Sequence, residues 1–196
     1  MDFDELKSLL NTMADPVILM EGRRSIPAGQ QQSAFETARS LAGDFKHVTF
    51  RSGNASGSDY AFSRGVASVD PSRLQILAPY RGHRKKHMFS GAEYIYPDAL
   101  PSEHHPAIIQ KALQASPRHK SILGRTNLPP KVAVKAGYLL RDTIKAAGCP
   151  PFLTRPVAAL FYVDPADTES GGTGHTIRVC RLEKVPVYFQ DEWKQS

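Results

Sequence analysis

Apolar residues along the chain occur both in short continuous runs and in longer stretches with helical spacing. The continuous runs predict buried strands at residues 16–20, 48–50, 74–78, 157–163 and 185–189. Between them, apolar residues three and four positions apart predict helices, chiefly over residues 1–15, 34–42, 106–115, 130–147 and 171–183. Strands that alternate with helices are typical of a parallel sheet with helices on both faces. The pattern therefore predicts an α/β three-layer sandwich with a mostly parallel sheet of about five strands.

One long stretch, residues 79–156, interrupts this alternation before the fourth predicted strand. It contains a basic loop, a piece rich in tyrosine and proline, and two of the predicted helices. A chain of 196 residues has the length of one domain. We therefore predict a single Rossmann-like domain over residues 1–196, with residues 79–156 as a basic insertion of loops and helices within it.

Positive charge is concentrated in the same stretch. The whole chain carries a net charge of +6, yet residues 81–145 hold twelve Lys or Arg against only four Asp or Glu. Outside that stretch acidic residues are in slight excess. A basic patch attracts phosphate, either in a nucleotide or in a nucleic acid, although a solvated surface would have the same composition.

Other features of the composition limit the class of protein. Only two cysteines occur, and no apolar run approaches the ~20 residues of a membrane helix. The first residues include Asp2, Asp4 and Glu5, unlike a signal peptide. The seven histidines lack metal-ligand spacing, because His104 and His105 are adjacent and others lie among cations. We therefore expect a cytoplasmic protein with no membrane partner and no metal.

Three loops rich in glycine and hydroxyl groups follow the first, second and fourth predicted strands. The carboxyl ends of parallel strands lie at the same edge of the sheet, where ligands of such folds bind. Glycine there lets the backbone come close to a ligand, and the N-termini of the following helices attract anions. The candidate phosphate ligands in these loops are Gly22, Arg23, Arg24, Ser25, Ser52, Gly53, Asn54, Ser56, Gly57, Asp59, Gly171, Gly172, Thr173, Gly174, His175 and Thr176. A tight turn between a strand and a helix would have the same composition as each of these loops taken alone. Neither the dinucleotide-binding glycine fingerprint nor a Gly-Lys-Ser/Thr phosphate loop is present in the sequence.

A few residues near these loops are candidates for catalysis or for further phosphate contacts. Asp59 and Glu21 are the acids of the first two loops, although Asp59 would also suit a helix cap and Glu21 a partner for Arg23. His175 begins a helix, where it would contact phosphate or transfer protons. Arg81 opens the basic loop 81–87, which would act as a phosphate clamp or remain a solvated loop.

The order of the loop motifs resembles the SLOG superfamily. The matching pieces are Gly22-Arg23, residues 51–59 (RSGNASGSD) and residues 171–178 (GGTGHTIR). That superfamily includes DNA-processing protein A and the lonely-guy proteins, and the present sequence is most similar to its small bacterial and phage members. The resemblance implies a Rossmann-like fold that binds nucleotides or nucleotide-derived ligands at these loops. Arg141-Asp142 resembles an Arg-Asn pair in the preceding helix, which implies that Arg141 also contacts the ligand.

The sequence differs from the lonely-guy motif Pro-Gly-Gly-x-Gly-Thr-x-x-Glu at three positions, and one of them is the Glu that assists hydrolysis. Ser170, His175 and Arg178 replace the Pro, the Thr and the Glu. A cation cannot replace a carboxylate beside an oxocarbenium-like centre. Arg178 is instead expected to reach back toward a phosphate held at residues 171–174. These replacements favour a ligand-binding module or sensor over a phosphoribohydrolase.

Two other functions stay open at the level of sequence. One is a nucleotide-processing enzyme of the N-glycosidase type, in which Asp59, Glu21 or His175 would serve as the acid or base. The other is binding of single-stranded nucleic acid by the basic stretch. The expected partner is a nucleotide-type small molecule, and a homo-oligomer stays open because Trp193 would suit either packing or a subunit contact.

Overall fold

A computed structural model describes residues 2–123 and 127–194 of the chain. Its strands are β1 (Val17–Gly22), β2 (Thr49–Ser52), β3 (Leu74–Leu77), β4 (Glu93–Ile95), β5 (Ala158–Tyr162) and β6 (Val187–Phe189). Its helices are α1 (Phe3–Leu10), α2 (Ala28–Asp44), α3 (Ser58–Ala67), α4 (His105–Ala115), α5 (Lys120–Leu123), α6 (Pro130–Ala147), α7 (Gly171–Leu182) and α8 (Gln190–Trp193). In the described part of the chain, every helix is too short or too polar to cross a bilayer.

The strands form one sheet in the order β4-β3-β2-β1-β5-β6, and each neighbouring pair is parallel. This arrangement confirms the predicted Rossmann-like α/β fold. The strand beyond the five predicted ones is β4, which lies in the piece rich in tyrosine and proline. It comprises three residues at the sheet edge and none of them is fully buried. Such a short, half-exposed strand leaves no apolar run for the sequence pattern to detect.

Alternate residues of the central strands face two separate core layers, as the pleat of a strand requires. Ile18 and Leu160 pack with the helices α1, α2, α3 and α8. Leu19 and Phe161 pack on the opposite face with α4, α6 and α7. Glu21 lies two positions after Leu19, so it shares the face that α6 and α7 cover.

The chain order places a crevice beside β1. From β1 the chain runs outward through β2, β3 and β4, and the insertion then carries it back to β5 on the other side of β1. Ligands of open parallel sheets bind beyond the carboxyl ends of the strands at such a reversal of strand order. The helices of the insertion lie on the same face as α7, next to this crevice.

Trp193 belongs to the core. Its side chain is fully buried, its ring lies edge-on to Phe62, and its indole N–H donates to the Phe161 carbonyl at 3.1 Å. Of the two roles considered for this residue, the structure therefore supports packing within the chain.

Candidate functional site

A cleft of about 1040 Å³ opens at the carboxyl ends of β1 and β5. The loop after β1 contributes Gly22, Arg23, Arg24 and Ser25, and the loop before α7 contributes Ser170 together with the first helical residues Gly171, Gly172 and Thr173. The rest of the lining comes mainly from α6, from Val163, Asp164, Asp167 and Thr168 after β5, and from the Pro117–His119 turn after α4. All three predicted loops therefore reach this cleft, the second one only through Ala55 and Asp59.

The loop after β1 is held in place by the start of α3. The backbone N–H and the hydroxyl of Ser58 both donate to the Arg23 carbonyl, each at 3.0 Å. Gly57 makes this approach possible, since its φ is 76° and a Cβ there would lie 2.3 Å from the Arg23 oxygen. At the mouth of the cleft, the Arg23 guanidinium forms an ion pair with Asp164 at 2.7 Å. Both the backbone and the side chain of Arg23 are thus fixed against neighbouring elements.

The first turn of α7 offers backbone N–H groups to the cleft. Gly171 and Gly172 are exposed, and N–H groups at the start of a helix have no partner within it. The hydroxyl of Thr173 donates to the Gly22 carbonyl at 3.1 Å and ties the helix to the end of β1. This turn therefore lies where the two halves of the sheet meet.

A cluster of buried charges forms the floor of the cleft. Lys145 on α6 contacts Glu21 at 2.7 Å and Asp142 at 3.0 Å, and Arg141 contacts Asp142 at 2.7 Å. The Asp59 carboxylate accepts the backbone N–H groups of Gly22 at 3.1 Å and Ala55 at 3.3 Å, so it joins the first two loops. All five charged side chains are at least nine-tenths buried.

Burial, together with the neighbouring charges of this cluster, sets the ionisation of Glu21. Burial raises the pKa of Glu21 to about 7, against the opposing attraction of Lys145. Burial also acts to raise the pKa of Asp142, but Arg141 and Lys145 together hold it below its ordinary value. A protonated Glu21 leaves two carboxylates against two cations, and the buried cluster is then neutral.

Gly53 lets this cluster assemble beneath the second loop. A Cβ there would lie 2.7 Å from an Asp59 carboxylate oxygen and 2.9 Å from the Arg141 guanidinium. Arg141 donates to the Gly53 carbonyl at 2.8 Å. The second loop therefore faces inward: Ser52, Gly53 and Asn54 are buried, and of this loop only Ala55 and Asp59 belong to the described lining. Ser52, Gly53, Asn54, Ser56 and Gly57, which were predicted to contact phosphate, are outside the described lining. Gly53 packs on α6, Asn54 on the basic loop and Gly57 on the Arg23 and Arg24 carbonyls, whereas Ser56 is exposed.

His175 is a core residue and does not reach the cleft. It is fully buried on α7, and burial lowers its pKa to about 4, so the ring is neutral at pH 7. Its Nε2 lies 2.9 Å from the Thr143 hydroxyl, whose single proton goes to the Leu139 carbonyl. Nε2 therefore carries the ring proton and donates to Thr143.

The other ring nitrogen of His175 completes a directed chain of hydrogen bonds. Nδ1 accepts from the Ser116 hydroxyl at 2.9 Å, and that hydroxyl accepts from Arg178 at 3.0 Å. The chain links α7, α6 and the end of α4. The expectation that His175 contacts phosphate or transfers protons is thus corrected: both nitrogens are used within the protein. Gly174 and Thr176 are buried too, and Thr176 bonds to Glu21 at 3.2 Å.

Two arginines also lie away from their expected positions. Arg178 donates to the Ala115 carbonyl at 2.8 Å and to the Glu169 carbonyl at 3.1 Å, so it clamps the end of α4 and does not reach back to residues 171–174. Arg81 is exposed, stacks over Tyr96 and lies 3.9 Å from Asp98. Neither guanidinium belongs to the described lining of the cleft. Neither set of local partners was predictable from the spacing of residues along the chain.

The insertion supplies cleft residues that the sequence analysis did not single out. They are Arg118, His119, Lys131, Lys135 and Tyr138. Tyr138 lies beneath the guanidinium groups of Arg24 and Arg141, at 5.6 Å and 5.2 Å from its ring centre. The position of the α6 residues on one helix face could have been recognised from the sequence, because residues three and four apart share a face. Along α6 these positions are Lys131, Lys135, Tyr138 and Asp142. In the described chain, no group of three His, Cys, Asp or Glu is arranged to hold a metal ion.

Comparison with known proteins gives one informative similarity of structure. No protein-family model matches the sequence, and no curated protein sequence gives a significant match. Among solved structures, the fold is similar to DNA processing protein A from Helicobacter pylori, a structure described for its mode of binding single-stranded DNA. The TM-score is 0.54 with 14% identical residues, over 93% of this chain and 67% of that one. At this identity the likeness concerns the fold alone, and it supports a Rossmann-like fold of the DNA processing protein A type.

Proposed function

We propose that the protein binds a nucleoside phosphate, with the phosphate at the first turn of α7. The observation that carries this proposal is the convergence of residues 171–173 with the loop after β1 at the reversal of strand order. Two of the three loops that sequence analysis assigned to phosphate meet there. Free backbone N–H groups and the helix dipole favour an anion at such a position.

A buried arginine in the same cleft supports the proposal. Arg141 is 4% exposed and belongs to the lining of the cleft, and within the described structure its Nε has no hydrogen-bond partner. A buried N–H without a partner costs roughly 1–3 kcal/mol. A phosphate oxygen at the floor of the cleft would satisfy this donor and the backbone donors together.

The accessible charge of the cleft is also suited to an anion. Among the described residues, the exposed cations Arg24, Arg118, Lys131 and Lys135 make no ion pair within 4.0 Å. Arg23 is matched by Asp164, and the buried carboxylates are matched by Arg141, Lys145 and backbone N–H groups. The exposed Asp167 also lines the cleft without an ion pair to a described residue, so four unpaired cations face one unpaired carboxylate and positive charge predominates on the accessible walls.

Binding fits the arrangement better than hydrolysis. Glu21 and Asp59 are engaged by Lys145, Thr176 and backbone N–H groups, and His175 is sealed in the core. A general acid or base must come within hydrogen-bond reach of the reacting atom. Glu21 and Asp59 border the cleft, but protein donors already occupy their carboxylate oxygens, so we propose a binding protein or sensor as the function.

The proposal is tested by placing a carboxylate at the first position of α7. Gly171 has a φ of 61°, which Asp and Asn tolerate, and nothing lies within 4 Å of a Cβ at this position. We expect saturating nucleotide to raise the melting temperature of the unmodified protein by about 5–10 °C. Gly171→Asp should abolish that rise through repulsion, while the isosteric Gly171→Asn should retain most of it.

Thermal-shift measurements with nucleoside mono-, di- and cyclic phosphates and ADP-ribose would check this. Unchanged melting temperatures across the whole panel would refute the proposed function. Equal nucleotide binding by Gly171→Asp and Gly171→Asn would show that the phosphate does not bind at the first turn of α7.

A second candidate function is binding of single-stranded DNA. The specific observation in its favour is the fold similarity to DNA processing protein A, together with the exposed Lys85 and Lys86 at the same edge of the sheet. The exposed cations of this edge would follow a phosphate backbone, and affinity would then depend steeply on salt.

A further inference from the structure

The face of α6 that lines the cleft runs from exposed to buried residues. Lys131 and Lys135 are exposed, Tyr138 is half-buried, and Arg141 is buried next to Asp142, whose carboxylate lies 3.0 Å from a Cβ position at Gly172 in the first turn of α7. Ten residues separate Lys131 from Arg141, which corresponds to about 15 Å along a helix. The cationic wall therefore extends well beyond the proposed phosphate position.

Three cations gather at the far end of this wall. We call Arg118, Lys131 and Lys135 the distal cations; all three line the cleft. No carboxylate of the described chain pairs with them, although ion pairs are made elsewhere on the same helix. Like charges in a concave surface repel one another and focus a field that attracts anions.

His119 provides a second, independent indication of a ligand at this end. It is 9% exposed, lines the cleft and packs edge-on against His175 at 6.4 Å between ring centres. Its Nδ1 is buried and has no hydrogen-bond partner among the described residues. Burial lowers the pKa of His119, and Arg118, Lys135 and Arg178 act in the same direction. The neutral ring thus holds an unused hydrogen-bonding atom among cations.

We propose that the cleft takes a ligand with two separated anionic groups, the second of which binds at the distal cations and His119. This inference rests on the proposed function, because the first group is the phosphate at α7. The ligand class is a pair of phosphates joined through a nucleoside, found both in free dinucleotides and at the end of a single strand. The cleft volume of about 1040 Å³ is at the upper end of the roughly 300–1,000 Å³ of small-molecule sites and accommodates such a ligand.

The test compares ligands with one and two phosphates by titration calorimetry. The probes are adenosine monophosphate, the 5′-phosphorylated dinucleotide pApA, and a single-stranded octanucleotide. We expect pApA to bind about tenfold more tightly than adenosine monophosphate, since a charge-assisted contact of about 1.5 kcal/mol corresponds to that factor. Lys131→Gln/Lys135→Gln should lose this gain, so that the ratio of the affinities for pApA and for adenosine monophosphate falls to about one.

A matched control has the same change of charge at the opposite edge of the sheet. Lys46 and Lys184 are exposed and precede β2 and β6, so Lys46→Gln/Lys184→Gln should preserve the gain of pApA. His119→Phe keeps a ring against His175 but removes both nitrogens, and it should weaken pApA without changing adenosine monophosphate binding. An octanucleotide that binds much more tightly than pApA would identify a strand as the source of the two phosphates, and equal affinity would identify a free dinucleotide.

Each outcome separates the two proposals. If pApA binds no more tightly than adenosine monophosphate, or if the gain persists in Lys131→Gln/Lys135→Gln, the distal subsite is wrong and the proposed function stands. If neither probe binds the unmodified protein, both proposals are wrong.

Discussion

Glu21 is an acid at the end of a buried central strand, and its ionisation is coupled to folding. Its pKa is about 7 in the folded protein, because of burial, against an ordinary value of 4.5. Between these values the unfolded chain releases this proton while the folded chain retains it. Ionisation then favours unfolding, and the contribution of Glu21 to stability falls as pH rises from about 4.5 to about 7.

We predict that Glu21→Gln removes this dependence. Burial lowers the pKa of His83 and of His175 to about 4. Below pH 6.5 the unfolded chain therefore binds more protons at these histidines than the folded chain, so their contribution to the unfolding free energy rises with pH, opposite to that of Glu21. The measurement is therefore the difference in unfolding free energy between the variant and the unmodified protein, from urea titrations at pH 5, 6 and 7. We expect the difference to shift in favour of Glu21→Gln by up to about 1.4 kcal/mol per pH unit. A constant difference would show that Glu21 is ionised throughout.

Two helices illustrate how close packing positions the cleft. In α7, Gly174 lies against the preceding loop, and a Cβ there would be 1.8 Å from the Glu169 carbonyl oxygen. In α2, Gly43 has nothing within 4 Å of a Cβ position. The first glycine is required by a backbone contact that holds the start of α7, whereas the second glycine is unconstrained.

Substitution of each glycine by alanine should therefore have opposite effects. We expect Gly174→Ala to lower the unfolding free energy by about 1–3 kcal/mol through overpacking. Gly43→Ala should raise it by as much as about 1 kcal/mol, because alanine favours the helix. Calorimetric melting of the two variants provides the comparison. Equal melting temperatures would mean that the contact with Glu169 does not constrain α7.

The elements that could be predicted from sequence are those with clear apolar patterns. The predicted strands correspond to β1, β2, β3, β5 and β6, and the helix predicted over residues 130–147 matches α6 at both ends. The helix predicted over residues 1–15 ends earlier, at Leu10, because the apolar spacing does not continue. The helix α2 is longer than its apolar stripe, since its first two turns are mostly exposed.

The candidate site was predictable only in part. Glycine loops after β1 and β5 were identified because their position in an α/β fold is general. On α6, Arg141 was predicted through the family resemblance and does line the cleft, but the other cleft-facing residues were missed because their charges were counted only as part of a basic stretch. His175, Arg178 and the second loop were misplaced because their partners, such as Ser116 and Thr143, come from distant parts of the chain.

At the scale of the whole molecule, the second candidate function makes a prediction about salt. Lys85 and Lys86 are exposed in the basic loop, so both can be substituted without loss of a described contact. Arg84 donates to the Asn54 carbonyl at 3.0 Å and stacks over Tyr60, and for this reason the variant keeps it. If single-stranded DNA binds here, Lys85→Gln/Lys86→Gln should reduce the slope of log affinity against log salt by about 1–2. Fluorescence anisotropy with labelled oligothymidylate measures this.

The control has the same change of charge far from the loop. Lys46→Gln/Lys184→Gln should leave the slope unchanged. An unaltered slope in both double variants would exclude the basic loop from DNA binding.

The order of the strands has a consequence for how the cleft comes into being. Val17 pairs with Thr49, 32 positions away, whereas Ile18 pairs with Ala158, 140 positions away. Closing the longer segment carries the greater loss of chain entropy, and distant pairings slow folding. The strands β1 to β4 form a contiguous half of the sheet, but the cleft needs β5 beside β1. A chain that has folded only its first half, as during synthesis, therefore has the glycine loop of β1 and no place to receive a ligand.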